Sequence, residues 1–184
     1  MAFNINTFQS ELRYGGARPA LFEVLISNPI NAEADDRVRF FCKTAEIPAS
    51  TINPITTNYF GREVKIAGNR TFADWAPTII NDEDFAIRAT LEQWSQSINN
   101  HIDNVTTAGL NPTLYKGQAD IIHYGKDGRK LRQYHVSGMF PTELGAIELS
   151  WDNGDQLEEY TATFSIDYWT VQRPGEGLGI TITV

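Results

Sequence analysis

The residues best suited to acid–base chemistry are the histidines, His101, His123 and His135. Asp127-Gly128 in QADIIHYGKDGRKLRQYHVSG predicts a hairpin turn, and the resulting register sets His135 opposite Asp120. This pair is either a base oriented by its carboxylate or an ordinary surface pair. The register puts His123 on the other face, which opposes a two-histidine metal site. Because no serine or cysteine elbow accompanies the pair, the surface pair is the favoured interpretation.

Other segments that resemble chemical motifs also fail on spacing or context. Cys42 is the only cysteine, so an internal disulfide and a cysteine-rich zinc site are excluded. In RVRFFCK it alternates with Val38 and Phe40, which predicts a strand carrying a buried structural thiol. The acidic WDNGDQLEE lacks calcium-loop spacing, and RPGEGLG follows no βα unit that would cradle phosphate. The sequence therefore predicts no catalytic residue, no metal and no cofactor.

The charge distribution argues against tight nucleic-acid binding. The chain has 184 residues and a formal net charge of -8. Residues 143–176 contain eight acidic side chains and one basic one, so most of the excess negative charge lies there. Such a surface repels phosphate backbones. At 41% hydrophobic residues the chain can bury a core, and its first residues lack the basic and apolar regions of a secretory signal.

The elements that must position these groups are mostly strands. Period-two alternation predicts an antiparallel, mainly β domain. The strands are expected in ALFEVLIS, RVRFFCK, WAPTIIN, AIELSW, EEYTATFSIDYWT and the hairpin around Asp127-Gly128. In EEYTATFSIDYWT, five apolar or aromatic residues from Tyr160 to Tyr168 face one way, and Thr161, Thr163, Ser165 and Asp167 face the other. EIPASTINPITT, with two prolines, is expected to be irregular or an edge segment.

One amphipathic helix is expected at about residues 82–99. Asn81 is a suitable cap, and the three acidic residues after it suit the positive end of a helix dipole. Ile87, Leu91, Trp94 and Ile98 recur at helical spacing and form one apolar stripe.

NYFGREVKIAGNR predicts a long hairpin arm at about residues 55–70. It turns near Gly61, with a second turn at Gly68-Asn69. AGNRTFADW then combines a turn with two large aromatic residues, Phe72 and Trp75.

The chain resembles the tail tube proteins of contractile-tailed bacteriophages. The resemblance rests on an ordered set of motifs between about residues 17 and 169: ARPALFEV, FFCKTAEIPA, VKIAGNRTFADW, IINDEDFAIR, FPTELGAIELSWDN and FSIDYW. AGNRTFADW with the later DYW is the most specific combination. The family's members end soon after this DYW, so residues 1–169 are expected to form a single tube domain and residues 170–184 a C-terminal extension.

The resemblance implies a structural virion protein rather than an enzyme. Such subunits have two packed antiparallel sheets and a helix, and form hexameric rings that stack into a hollow tube. The tube conducts double-stranded DNA and is driven through the host envelope when the sheath contracts. Implied partners are the chain itself, the sheath, baseplate and tail terminator proteins, the tape measure protein during assembly, and DNA passing without specific binding. The implied location is the virion, with assembly in the host cytoplasm.

Simple geometry is compatible with that implication. Four strands from each of six subunits, about 4.8 Å apart and tilted by about 40°, give a barrel about 48 Å across. That diameter leaves room for a B-DNA duplex. Two other readings stay open: the tube of a bacteriocin or a type VI-like secretion apparatus, and, more remotely, a carbohydrate-binding β-sandwich.

Three sets of site residues follow from the residue patterns and the family resemblance together. The lumen-facing set is Glu148, Ser150, Thr163, Ser165 and Asp167. The inter-ring arm is Tyr59, Phe60, Gly61 and Arg62. The arm anchor is Gly68, Arg70, Phe72, Asp74 and Trp75, with Arg70 expected to pair with an acidic group. Ile180 to Val184 is expected to add a strand to a sheet edge away from the lumen.

Overall fold

A computed structural model describes residues 4–12, 16–152 and 154–172. Its elements in chain order are α1 Ile5–Glu11, β1 Phe22–Ser27, α2 Asp35–Phe41, β2 Cys42–Thr44, β3 Ser50–Tyr59, β4 Arg62–Phe72, β5 Thr78–Ile80, α3 Ala86–Ile98, α4 Pro112–Tyr115, β6 Gly117–Tyr124, β7 Lys130–Leu144, β8 Glu159–Ser165 and β9 Tyr168–Gln172. No described helix is long and apolar enough to cross a membrane. The strand expected at Ile180 to Val184 lies outside the described residues.

Seven strands form one curled antiparallel sheet whose two halves share β7. The first half of β7 lies between β6 and β9, and β1 pairs with the far edge of β6. The second half of β7 pairs with β8, which leads through β5 to β2. Between the halves, Gly138 adopts a φ of 69°. The prediction of a mainly β, antiparallel fold is confirmed, and the two predicted sheets correspond to the two halves that share β7.

The core lies between this sheet and α3. Ile87, Leu91 and Trp94 on α3 are buried, as the apolar stripe predicts. The Trp94 ring lies 6.0 Å from that of Phe164 on β8, and Trp94 Nε1 donates a hydrogen bond to the carbonyl oxygen of Tyr115, 2.7 Å away. Burial of each large side chain contributes roughly 1.5–3 kcal/mol. These contacts fix α3 across the shared strand.

The helix begins later than predicted and without the predicted cap. Asn81 extends the β5–β8 pairing instead, since its backbone N–H donates to the carbonyl oxygen of Glu158 at 2.8 Å. Phe85, with a φ of 53°, directly precedes the helix. Asp84 accepts a hydrogen bond from the backbone N–H of Ala86 at 3.1 Å. Asn81 is therefore hydrogen-bonded to the partner strand of β5 and does not cap α3.

Two predicted strands do not form. RVRFFCK falls mainly in the helix α2, in which Val38 is buried while Phe40 is 77% exposed, so its short alternation does not mark a strand. Asp35 and Asp36 stand in its first turn, where acidic residues favour a helix. AIELSW, residues 146–151, has no regular structure. The chain leaves the sheet at Gly145, whose N–H donates to the Thr161 carbonyl oxygen at 2.7 Å.

The arm is longer than predicted, and the second turn at Gly68-Asn69 does not form. β4 passes through both residues without a break. EIPASTINPITT supplies most of the partner strand β3, with an irregularity between Ile52 and Pro54 that accommodates the proline. A Cβ on Gly68 would lie 2.4 Å from the carbonyl oxygen of Asn53. This glycine thus permits a close approach of two strands rather than a turn.

Candidate functional site

The arm projects from the sheet as a two-stranded ribbon. β3 and β4 pair only with each other among the described strands. Every residue from Thr51 to Ala67 is exposed, including both strands and the turn between them. A two-stranded ribbon is at best marginally stable by itself in water. A ribbon of this length without a core of its own indicates a surface that another molecule covers.

The tip of the arm presents aromatic side chains on a strained turn. Phe60 and Gly61 have φ values of 48° and 77°, and Tyr59 pairs with Arg62. This is the two-residue hairpin turn whose twist matches that of the strands. A bulky residue at positive φ is uncommon and costs energy. Phe60 is nonetheless 92% exposed, with its ring 4.6 Å from that of Tyr59.

One face of the ribbon is apolar. Ile55 pairs with Ile66, and the neighbouring pair on this face joins Thr57 to Val64. Ile55 is 59% exposed and Ile66 55% exposed. The other face carries the polar pairs Thr56–Lys65 and Asn58–Glu63. Of the predicted inter-ring residues, Tyr59 and Arg62 lie at the tip end of this face. The prediction did not include Ile55, Val64 and Ile66, although the alternation of Val64 and Ile66 in EVKIA is a readable signal.

The base of the arm packs against the sheet through aromatic side chains. The Phe72 ring lies 6.0 Å from that of Trp169 on β9. Trp75 is fully buried, and it exchanges two backbone hydrogen bonds with Phe164, at 2.8 and 2.9 Å. Arg70 donates to Ser50 Oγ at 2.6 Å, and it forms no ion pair with the described acidic residues. The expected acidic partner of Arg70 is therefore replaced by a hydroxyl across the ribbon.

Asp74 is exposed between these two aromatic residues, and Gly68 allows the close strand approach at the bulge. The role of the five residues as an anchor for the arm stays a prediction.

The five residues predicted to face a lumen do not share one strand face. Thr163 and Ser165 alternate on β8 with buried Ala162 and Phe164, so they point away from the core. Glu148 and Ser150 lie in the irregular segment after β7.

Asp167 follows the end of β8. Both of its carboxylate oxygens accept hydrogen bonds from Lys116 Nζ at 2.7 Å. A Cβ on Gly138 would approach Asp167 Oδ2 to 2.0 Å. Asp167 therefore lies beside Gly138 of β7 and is not part of the polar face of β8.

The predicted register of the histidine hairpin is confirmed. Asp120 pairs with His135, with 2.8 Å between Asp120 Oδ1 and His135 Nδ1. His123 lies opposite Arg132, and its Nε2 lies 2.6 Å from the carbonyl oxygen of Arg18. Among the described residues no group of three or more His, Cys, Asp or Glu side chains is placed to hold a metal ion. The pair is a cross-strand contact on β6 and β7.

Cys42 is half-buried at the start of β2. Burial raises the pKa of its thiol to about 12, because the charged thiolate loses hydration. A thiol with such a pKa is protonated at neutral pH and is a poor nucleophile.

The curled sheet, the crossing helix and the projecting ribbon recur in a solved structure from a contractile injection system. A chain in the sheath–tube complex of PVC, an extracellular contractile injection system, has the same fold, with a TM-score of 0.64 and 16% identity. The match covers 91% of this chain and 97% of that one.

The sequence comparisons are more specific. The profile of the family described as "Phage tail tube protein" matches residues 5–172. Tail tube protein gp19 of Enterobacteria phage T4 is 33% identical over 154 residues, which cover 83% of this chain and 90% of that protein. The tail tube protein of Serratia phage KSP90 is 26% identical over 162 residues, covering 85% and 90% respectively. The chain belongs to the phage tail tube protein family; it is a structural component of a contractile phage tail and not an enzyme.

Residues 170–172, predicted to begin a C-terminal extension, lie in β9 and pair with β7. The family match also runs to residue 172. The sheet therefore includes these three residues.

Proposed function

We propose that the chain forms hexameric rings that stack into the inner tube of a contractile tail, and that the arm connects one ring to the next. The observation that carries this proposal is the amphipathic ribbon, whose apolar face is exposed in the single chain. Exposed apolar surface of this extent is characteristic of interaction sites. Stacking of rings would cover the face formed by Ile55, Val64, Ile66 and Tyr59, and would release water from it.

The tube conducts double-stranded DNA under this proposal, and it is assembled in the host cytoplasm. Its other partners are the sheath, baseplate and tail terminator proteins, with the tape measure protein present during assembly. Solved structures of a sheath–tube complex, a baseplate, a sheath/tube terminator and a tube-terminating cap contain chains of the same fold. That observation supports a tube role with contacts at both ends and along its length.

Substitution of the apolar face tests the role of the arm. The triple variant Ile55→Thr, Val64→Thr and Ile66→Thr retains strand-forming side chains but removes the apolar contacts. We expect folded subunits, by circular dichroism, that form few or no tubes in negative-stain micrographs. The matched control, Thr56→Ser, Asn58→Ser and Lys65→Gln, alters the polar face of the same ribbon and should form normal tubes. Equal tube formation by both variants would remove the arm from the proposal.

Deletion of residues 60–63 examines the tip separately. Deletion shortens the ribbon without touching its base, where Phe72 contacts Trp169. The subunit should stay folded and lose the ability to form tubes. Tubes of normal length from this deletion would show that the tip is dispensable.

The proposed lumen wall is the polar face of β8, formed by Thr163 and Ser165. We do not include Glu148 and Ser150 in this wall, because the strand expected to carry them does not form. Asp167 is not included either, because its carboxylate is paired with Lys116. Neutral hydroxyl groups on a wall of an acidic protein bind phosphates weakly, since no cation releases counterions from the DNA.

Chemical labelling distinguishes a lumen from other locations. Thr163→Cys is placed in a Cys42→Ala background, and assembled tubes are treated with a small maleimide or with a maleimide attached to a polymer too large to enter the tube. A lumen residue reacts with the small reagent alone. Reaction with both reagents would place Thr163 on the outer surface, and reaction with neither would place it in a subunit contact.

A further inference from the structure

Two oppositely charged surfaces lie at the two ends of β7. The turn before β7 and the first residues of the strand carry exposed Lys126, Lys130 and Arg132, and we call residues 125–132 the basic hairpin. The described residues after β7, 145–152 and 154–158, include exposed Glu148, Asp152 and Asp155, and we call them the acidic loop. Because β7 has 15 residues, at most about 46 Å of extended chain separates its ends. The subunit is therefore electrostatically polar along this strand.

The acidic loop also exposes large apolar side chains. Leu149 is 79% exposed and Leu157 71% exposed, and Trp151 projects fully into solvent with a relative exposure of 104%. These side chains lie around an open groove beside β8. Exposed tryptophan is unfavourable in an isolated subunit, whereas tryptophan is enriched among the residues that dominate protein interfaces. The loop thus combines an apolar anchor with negative charge.

The basic hairpin has a surface complementary to the acidic loop in charge and in apolar character. A largely apolar hollow beside its tip is lined by Gly16, Ala17, Gly125 and Leu131, together with Lys126 and the ion-paired Asp127 and Arg129. Among the described acidic residues, none forms an ion pair with Lys126, Lys130 or Arg132. A tryptophan placed there would contact apolar surface, and its ring face would attract nearby lysine or arginine cations.

We propose that the acidic loop of one subunit docks on the basic hairpin of a second copy of this chain, with Trp151 in the hollow. Glu148, Asp152 and Asp155 then face Lys126, Lys130 and Arg132 across the contact. The two surfaces belong to different parts of the chain, so the contact is head-to-tail, and its repetition generates a ring or a filament. The inference rests on the proposed assembly and adds to it a contact that does not involve the arm.

Charge reversal with a compensating swap tests the contact. One variant carries Lys126→Glu, Lys130→Glu and Arg132→Glu, and the other carries Glu148→Lys, Asp152→Lys and Asp155→Lys. Each is expected to fold, by circular dichroism, and to fail to assemble in sedimentation and negative-stain assays. A chain that carries all six substitutions has the net charge of the natural chain and is expected to assemble again. The control Glu33→Lys, Asp36→Lys and Asp103→Lys changes charge by the same amount elsewhere and should assemble.

The apolar part of the contact has a separate readout. Trp151→Ala should raise the concentration required for assembly by about tenfold or more, as expected for a tryptophan at the centre of an interface. Leu110→Ala truncates a side chain that is 91% exposed and lies outside both surfaces, and it should leave that concentration unchanged.

The outcomes separate this inference from the proposed function. If the natural chain forms tubes and either charge-reversed variant assembles equally well, the contact is overturned while the tube function stands. Failure of the six-substitution chain to assemble, when it is folded, would equally overturn the pairing of these two surfaces. A natural chain that stays monomeric at every accessible concentration would overturn both.

Discussion

Gly138 is the residue at which the two halves of the sheet meet, and its substitution has a matched control in the same chain. Gly138 and Gly128 both have left-handed φ values, 69° and 79°. A Cβ at Gly138 would collide with Asp167, whereas a Cβ at Gly128 would have no neighbour within 4 Å. The two substitutions to alanine therefore share a backbone cost and differ in steric overlap.

We expect Gly128→Ala to lower the free energy of unfolding by about 1–2 kcal/mol, the cost of a left-handed alanine. Gly138→Ala should cost at least about 3 kcal/mol, because Asp167 must also move and its ion pair with Lys116 is disturbed. Urea unfolding, at concentrations below those needed for assembly, measures both. Equal losses for the two variants would show that the Asp167 contact does not constrain β7.

The Cys42 thiol provides a second residue-level prediction. Because burial raises its pKa, the folded state retains the thiol proton at pH values where the unfolded chain, with a thiol pKa of about 8.5, has lost it. This contribution to stability is complete below about pH 8.5 and is lost progressively toward about pH 12. Cys42→Ala should lack that part of the alkaline loss in urea unfolding. A thiol reagent at pH 8 should label the folded protein slowly and the urea-unfolded protein rapidly.

At the scale of elements, the bulge in the arm depends on Gly68. In Gly68→Ala the new Cβ would lie against the backbone of Asn53, and backbone cannot rotate away as a side chain can. We expect the ribbon to lose pairing at the bulge while the sheet keeps its stability, because the ribbon shares no strand with the sheet. Hydrogen exchange should become faster for amides of β3 and β4 and stay unchanged for β6 and β7. Unchanged exchange in the ribbon would contradict this account.

The elements show why sequence patterns predicted some parts of the fold and not others. The hairpin of β6 and β7 was predicted in register because Asp127-Gly128 fixes a turn and the alternation around it fixes the faces. RVRFFCK was wrongly predicted to be a strand. In so short a segment the apolar residues fit both the two-residue spacing of a strand and the three-residue spacing of a helix.

AIELSW alternates as a strand does, but strand pairing depends on a partner far away in the chain, which alternation alone does not identify. The apolar face of the arm is a different case, because its pattern was readable. Alternation predicts a strand with one apolar face but does not tell whether that face is buried. Only the structure shows that the face of Ile55 and Ile66 is exposed.

At the scale of the whole molecule, the net charge predicts how a tube treats DNA. A ring of six copies would carry about six times the formal charge of -8, and such a net negative charge repels phosphates. Assembled tubes should therefore not sediment with duplex DNA at physiological salt. Thr163→Lys with Ser165→Lys should retain DNA if β8 lines the lumen.

Asp103→Lys is the matched control, because it makes the same change in net charge on the loop after α3. DNA retention by the control as strong as that of the double variant would mean that total charge, and not the position of the lysines, decides retention.

The sharing of β7 between both halves of the sheet has a mechanical consequence. Its ladder hydrogen bonds run perpendicular to the strand, to β6 and β9 over one half and to β8 over the other. A pull that separates the two halves along the direction of β7 loads those bonds in shear, so that many must break at once. β1 and β2 are the outer strands of the sheet order. A pull on one end of either strand, directed away from its neighbour, breaks the ladder hydrogen bonds one after another. Each subunit therefore resists a load along β7 more strongly than a load across its outer strands, and a pull across the sheet detaches an outer strand before it separates the two halves.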